Sequence, residues 1–128
     1  MFTLLIGSIA AISLIVGGIG ILVVMLISIK ERTKEIGIRR AVGAKRKDIL
    51  FQFFSEALIL SIGGGIIGVI IGVTVSMVVA FFAGWPFIVS INAIALALLS
   101  TFIIGIFSGV YPARKASLLD PIKALQFE

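Results

Sequence analysis

Two stretches of this chain carry no charged side chain at all, residues 1–29 and residues 57–113. A helix needs about 20 mostly apolar residues to cross roughly 30 Å of hydrocarbon. The first stretch is long enough for one span and the second for two. Composition agrees, because 60% of the residues are apolar and 13% charged, against about 45–50% and about 25% in soluble domains. A soluble globular chain needs more surface charge, and a disordered one far less hydrophobicity. The expected class is all-α and integral to the membrane, with three transmembrane helices.

The long stretch breaks at Gly84-Trp85-Pro86. Proline cannot continue a helix interior and disfavours helix at the residue before it, while Trp prefers the headgroup layer. This predicts a tight turn at the membrane surface and spans near 3–29, 57–82 and 88–110. The segment 30–48 holds Lys30, Arg32, Lys34, Arg39, Arg40, Lys45, Arg46 and Lys47 against Glu31, Glu35 and Asp48. The tail adds Arg114, Lys115 and Lys123 against Asp120 and Glu128. The positive-inside rule puts 30–56 and 111–128 in the cytoplasm and, with three spans, Met1 outside a cell (cytoplasmic) membrane. A secretory signal is the rival reading of the start. It fits poorly, because no basic residue precedes the apolar run and the run exceeds the usual 7–15 residues.

The chain has no Cys and no His, which removes disulfides, imidazole and thiolate metal sites, and the common nucleophilic triads. Residues 63–68 match GxGxxG literally. That motif needs a preceding strand and an acid about 20 residues on, and position 88 is Ile. No P-loop is present. The chain is therefore expected to bind no metal or cofactor itself and not to be an enzyme. Its net charge of +5 is clustered beside the spans, so the lipid bilayer is the expected partner and nucleic acid is not.

Small residues recur at every fourth position in the last two spans. Gly64, Gly68, Gly72, Ser76 and Ala80 form one row, and Ala93, Ala97, Thr101, Gly105 and Gly109 the other. Lipid tails are as apolar as Leu, so membrane helices associate through close backbone approach, which such rows allow. The hairpin is expected to pack on itself or on a second subunit. Gly68→Leu and Gly105→Leu are both expected to weaken that packing.

Between the first two spans, residues 30–56 divide at Gly43-Ala44. Glu35 and Arg39 stand at i,i+4 in the favourable order, supporting a short helix, although Gly37 and Gly43 weaken it. So short a helix must dock on something. Asp48 is the expected N-cap of a second, amphipathic interfacial helix in which Asp48, Gln52 and Glu56 recur every fourth residue. Glu56 lies about 12 Å along that helix at 1.5 Å per residue, at or just below the headgroups. A carboxylate there needs a partner or water. In the tail, Tyr111 and Pro112 are expected to end span three. Asp120-Pro121 reads as N-cap and first position of a short helix running to about Phe127.

The strings EIGIRRAVGAKRKDILFQFFSEALIL (35–60) and GVYPARKASLLDPIKAL (109–125) resemble the two motif regions of the FtsX-like permease family, and within it the MacB-like exporters. The resemblance covers essentially all of the chain. It implies a permease subunit of an ABC transporter, dimeric, working with a cytoplasmic ABC ATPase that binds ATP and Mg. The segment 30–56 is then the coupling helix. Glu35, Gly37, Arg39, Arg40, Gly43 and Ala44 fall in the coupling region, and Glu56 matches the family's acid at the start of the next span. Tyr111, Pro112, Arg114, Asp120 and Pro121 match its tail motif. Such permeases have four spans with an extracytoplasmic domain between the first and second, so the resemblance implies that this chain carries the last three.

In that family ATP binding closes the ATPase pair, and stiff spans carry the motion outward, a process termed mechanotransmission. The leading reading is export of amphipathic compounds such as antibiotics or peptides. Lipoprotein release and control of cell-division hydrolases are sister roles. A non-transporting membrane anchor is a separate class, and a small secondary carrier would need a charge deep in its spans.

Overall fold

The computed structural model describes residues 1–126 and contains five helices among them. These are α1 (Phe2–Glu31), α2 (Thr33–Ala41), α3 (Arg46–Ala83), α4 (Ile91–Ser117) and α5 (Pro121–Leu125). Three of them, α1, α3 and α4, are long and apolar enough to cross a membrane. At 1.5 Å per residue, 30, 38 and 27 residues give lengths of about 45, 57 and 40 Å. Phe127, where α5 was expected to end, lies outside the described residues.

The break at Gly43-Ala44 has a defined geometry. Gly43 sits at φ +111°, where its N–H donates to the Arg40 carbonyl and the Ala44 N–H to the Arg39 carbonyl, at 3.2 and 3.0 Å. This Schellman pairing satisfies two carbonyls that the end of α2 would otherwise leave open. The break at Gly84 is closed in the same manner, with Gly84 at φ +68° and the Trp85 N–H on the Ala80 carbonyl. Phe81, Phe82 and Trp85 are exposed around that turn, as an aromatic interface belt requires.

Three local expectations need correction. Asp48 is not an N-cap, because α3 starts earlier, with Lys45 in extended backbone as its cap. Asp48 stands three residues on and reaches back to accept the Lys45 N–H at 3.1 Å, half of a capping box. From there the interfacial helix leads into span two as one unbroken helix, because no residue between Asp48 and Ala83 interrupts backbone pairing. Tyr111 and Pro112 do not end α4, which runs on to Ser117. Proline removes one helical hydrogen bond. Here Pro112, Ala113, Ala116 and Ser117 are all buried, and that packing outweighs the lost bond. At the other end of α4 the Ser90 hydroxyl caps the helix by accepting the Ala93 N–H, so the helix begins at Ile91 rather than 88.

The α3–α4 hairpin is held by one row from each helix. On α4 it is Thr101, Gly105 and Gly109, as expected. On α3 it is Ala57, Ser61 and Gly65 rather than the row at Gly64, Gly68 and Gly72. A Cβ added at Gly105 would lie 2.6 Å from the Ser61 Cβ, and one at Gly109 would lie 2.7 Å from the Ala57 Cβ. The Ser61 hydroxyl is buried and donates to the Thr101 carbonyl across the seam at 2.6 Å. By contrast, a Cβ at Gly64, Gly68 or Gly72 would meet nothing within 4 Å. Within one copy of the chain these three glycines, with Ala97, line an open cleft of about 1000 Å³ between α1 and the hairpin.

That cleft exists because α1 shares a buried core with the hairpin at one end only. The buried core comprises Met25 and Ile29 of α1, Ile36 of α2, Ile49, Phe53 and Ala57 of α3, and Ala113 and Ala116 of α4. All of these lie at the charged end of the bundle. Toward its start, α1 leans away, with residues 1–13 exposed. It meets α4 at Gly18, whose added Cβ would stand 2.5 Å from Ile104 Cγ2.

Gly105→Leu is expected to lower the melting temperature in detergent through overpacking of about 1–3 kcal/mol, whereas Gly68→Leu leaves it unchanged in the isolated chain. Equal effects of the two would mean that the seam has been misplaced. Gly43→Ala has open space but an unsuitable φ, and is expected to cost about 1–2 kcal/mol in the same assay.

Candidate functional site

At the charged end of the bundle, polar side chains of α2, α3 and the tail converge on one corner. α2 is tied down from both sides. Its Thr33, Ile36 and Gly37 are buried, and the short helix that sequence alone would make marginal packs on α5. Gly37 permits this, since an added Cβ would lie 2.7 Å from the Ala124 Cβ and 3.5 Å from the Pro121 carbonyl oxygen. Arg40 Nη1 donates to the Ser117 carbonyl at 3.4 Å. Gly37 thus does more than weaken a helix. It lets the tail motif come into backbone contact with α2, from about eighty residues further along the chain.

α5 is itself held by the cap foreseen from sequence. Asp120 Oδ1 accepts the Ile122 N–H at 3.0 Å, and Pro121 occupies the first helical position, where its missing N–H costs nothing. In the approach to it, Pro112 is buried while Tyr111 and Arg114 are exposed. The Arg114 carbonyl accepts the Ser117 hydroxyl at 2.8 Å and the Leu118 N–H at 3.2 Å, closing α4.

Two arginines fix the angle between α2 and α3. The Arg39 guanidinium contacts Glu35 Oε1 at 2.6 Å through Nη2 and donates to Gln52 Oε1 at 2.9 Å through Nη1. It therefore joins its own helix to the next. Arg32 Nη1 stands 3.5 Å from Glu56 Oε2, which supplies the partner that Glu56 requires. Both pairs are partly exposed, so each contributes about 0–1 kcal/mol. Their effect is geometric more than energetic, because together they hold the corner at two points.

What the corner presents outward is mixed in character. Ile38 is 48% and Val42 83% exposed, flanked by exposed Arg39, Lys45, Arg46 and Lys47. Gly43 and the half-buried Ala44 form its apex. Between α2 and α3 lies a shallow groove of about 440 Å³ lined by Ile38, Arg39, Val42, Ala44, Asp48, Ile49 and Gln52. Exposed branched apolar side chains ringed by basic ones suit a protein partner better than a lipid or a small substrate. Sequence reading singled out the basic residues and glycines of this corner, and Gln52 on the helix that follows, but not Val42, Ile38 or Ala124. Spacing of apolar residues within 33–42 gives a faint indication of the first two.

Among the described residues no three His, Cys, Asp or Glu side chains come together as a metal site would require. Glu56 is the only ionisable residue between Ala57 and the preceding Asp48. The corner therefore offers an electrostatic and shape-based surface rather than a set of reacting groups.

Comparison with known proteins agrees in extent and kind. The family model for the FtsX-like permease C-terminal domain matches residues 7–121. The macrolide export ATP-binding/permease protein MacB of Bdellovibrio bacteriovorus is 50% identical over 126 residues, which is 98% of this chain and 19% of that protein. MacB of Chlorobium luteolum is 53% identical over the same shares of both. An uncharacterized ABC transporter permease of Bacillus subtilis, YknZ, is 47% identical over the whole chain and 32% of its own length. The chain thus spans about a fifth to a third of these relatives. With its three membrane-capable helices, and with the first motif region and the second as far as Pro121 inside the matched stretch, this chain belongs to the FtsX-like permease family, as a C-terminal permease domain of the MacB type.

Proposed function

We propose that this domain couples ATP hydrolysis by a partner ABC ATPase to movement across the cell membrane, and so drives export of amphipathic compounds such as antibiotics or peptides. The observation that supports this most is the continuity of α3, which runs for 38 residues from the exposed corner to Ala83 without a break. A helix of that kind moves as a rod. A push on the α2–α3 corner is passed to the far end, about 57 Å away, with little lost in bending.

In this reading the corner is the coupling element. Val42 and Ile38 supply the apolar anchor, and Arg39, Lys45, Arg46 and Lys47 the steering charge. Glu35, Arg39 and Gln52, together with the Arg32–Glu56 pair, keep α2 and α3 moving as one body. α5, seated on Gly37, backs α2 so that force on the corner does not fold it inward. ATP and Mg²⁺ belong to the ATPase, and this chain contributes no reacting group. The excess of Lys and Arg at the corner and tail puts residues 30–56 and 111–128 on the cytoplasmic side and Met1 outside. A second permease copy completes the assembly, for which the open row at Gly64, Gly68 and Gly72 leaves a face.

A tagged copy of the chain expressed in a bacterial membrane is expected to recover an ABC ATPase on purification. Val42→Asp touches no neighbouring element and is expected to reduce that recovery about tenfold or more, the scale of losing a hot spot worth about 2 kcal/mol, with helix content unchanged. Arg39→Glu with Arg40→Glu is expected to do the same. Full recovery in both variants would sink the coupling reading, and loss of membrane insertion in the second would assign its arginines a topological role. Gly37→Leu, which displaces α5, is expected to leave the ATPase bound but lower its stimulated turnover. Unchanged turnover would remove α5 from the mechanism.

A further inference from the structure

A second basic site lies beside α5, with Thr33 at the start of α2 in its lining. A groove of about 680 Å³ runs between the end of α1, the end of α4 and α5. Its inner wall is apolar, formed by Val23, Leu26 and Ile27 of α1 with Leu119 after α4. Three lysines from three different helices line it, Lys30 from α1, Lys115 from α4 and Lys123 from α5. None of them has an ion-pair partner among the described residues. The one carboxylate in the lining, Asp120, already spends an oxygen on the Ile122 N–H, so the groove is net cationic.

We propose that this groove holds one anionic phospholipid, with its phosphate among Lys30, Lys115 and Lys123 and an acyl chain along Val23, Leu26 and Ile27. The argument is one of charge and position together. Lys30 directly follows the uncharged stretch of α1, Lys115 stands two residues past that of α4, and α5 brings Lys123 beside them. The apolar wall continues from them toward the middle of α1, along the path an acyl chain takes. A phosphate meets three ammonium groups there, each of them attracted to an anionic membrane surface. Lysines scattered on one helix would only snorkel, but these are gathered by tertiary packing of elements up to 93 residues apart. A bound lipid would tie α1 to α4 and α5. It would also brace α2, because Ala124, which lines the groove, is the residue that Gly37 packs against.

The test is native mass spectrometry of the purified chain with phosphatidylglycerol and phosphatidylcholine of identical acyl chains. The wild-type chain is expected to retain one phosphatidylglycerol in preference to phosphatidylcholine. The triple variant Lys30→Gln, Lys115→Gln, Lys123→Gln is expected to lose that retention about tenfold or more. A variant of equal charge loss outside the groove, Lys34→Gln, Lys45→Gln, Lys47→Gln, is expected to keep it. Equal loss in both variants means diffuse attraction and overturns the site, as does equal retention of the neutral lipid. Competition by glycerol phosphate at the lipid's concentration would reassign the groove to a soluble phosphate. Should the triple variant fail to fold, a photoreactive phosphatidylglycerol on the wild-type chain decides. Labelling within residues 23–30 and 115–124 supports the site, and labelling elsewhere overturns it.

Discussion

The close approach of α3 to α4 at Ala57, Ser61 and Gly65 against Thr101, Gly105 and Gly109 is the interaction on which the rest of this structure depends. Between helices in lipid there is no water to expel, so attraction comes from van der Waals contact and the occasional hydrogen bond. A seam of small residues maximises the first, and the Ser61 hydroxyl on the Thr101 carbonyl supplies the second. This seam fixes how α4 is rotated against α3. It thereby decides where Pro112, Ala113 and Ala116 lie, and these close the core around Phe53 and Met25. From that core the chain turns through Leu118 and Leu119 to place α5, and α5 in turn seats α2. The basic corner is the last link of a sequence of contacts that starts inside the hairpin.

Packing is unevenly distributed along the bundle. At the charged end four helices share one core, while toward the turn at Gly84 only α3 and α4 stay together and α1 stands apart. Such a molecule is stiff where the corner is attached and adaptable at the far end. A rigid α3 with a firmly held base can transmit a displacement, and the open cleft leaves room for neighbouring helices to rearrange around it. The two arginine pairs contribute little energy, yet they set the angle at which the corner meets whatever docks there.

Basic residues in this chain have been sorted by the fold into two environments. Arg39, Lys45, Arg46 and Lys47 surround exposed apolar side chains on the outer corner, where shape and charge suit a protein surface. Lys30, Lys115 and Lys123 surround an apolar groove at the level where the spans end, where the same charge suits a phosphate. Gly37 and Ala124 stand back to back between them, so events in one environment are mechanically connected to the other.

Much of this was legible in the sequence. Charge-free runs gave the three long helices, Gly43-Ala44 and Gly84-Trp85-Pro86 marked the breaks, and Asp120-Pro121 announced the start of α5. These are local properties, governed by residues within one or two turns of each other. The sequence also required a partner for Glu56 without naming Arg32, and on α3 it pointed to the row at Gly64, Gly68 and Gly72 where the structure uses Ala57, Ser61 and Gly65. In a helix apolar on every side, hydrophobic periodicity carries no information about facing, so nothing in the chain distinguishes Gly65 from Gly64. The extension of α4 past Pro112 and the meeting of Gly37 with Ala124 likewise depend on side chains many residues away. Helix identity, the breaks between helices and the cap at Asp120 followed from the sequence itself, because short-range hydrogen bonding and transfer into lipid decide them. Which faces touch, and hence which lysines share a groove and which arginines hold the corner, only tertiary packing could decide.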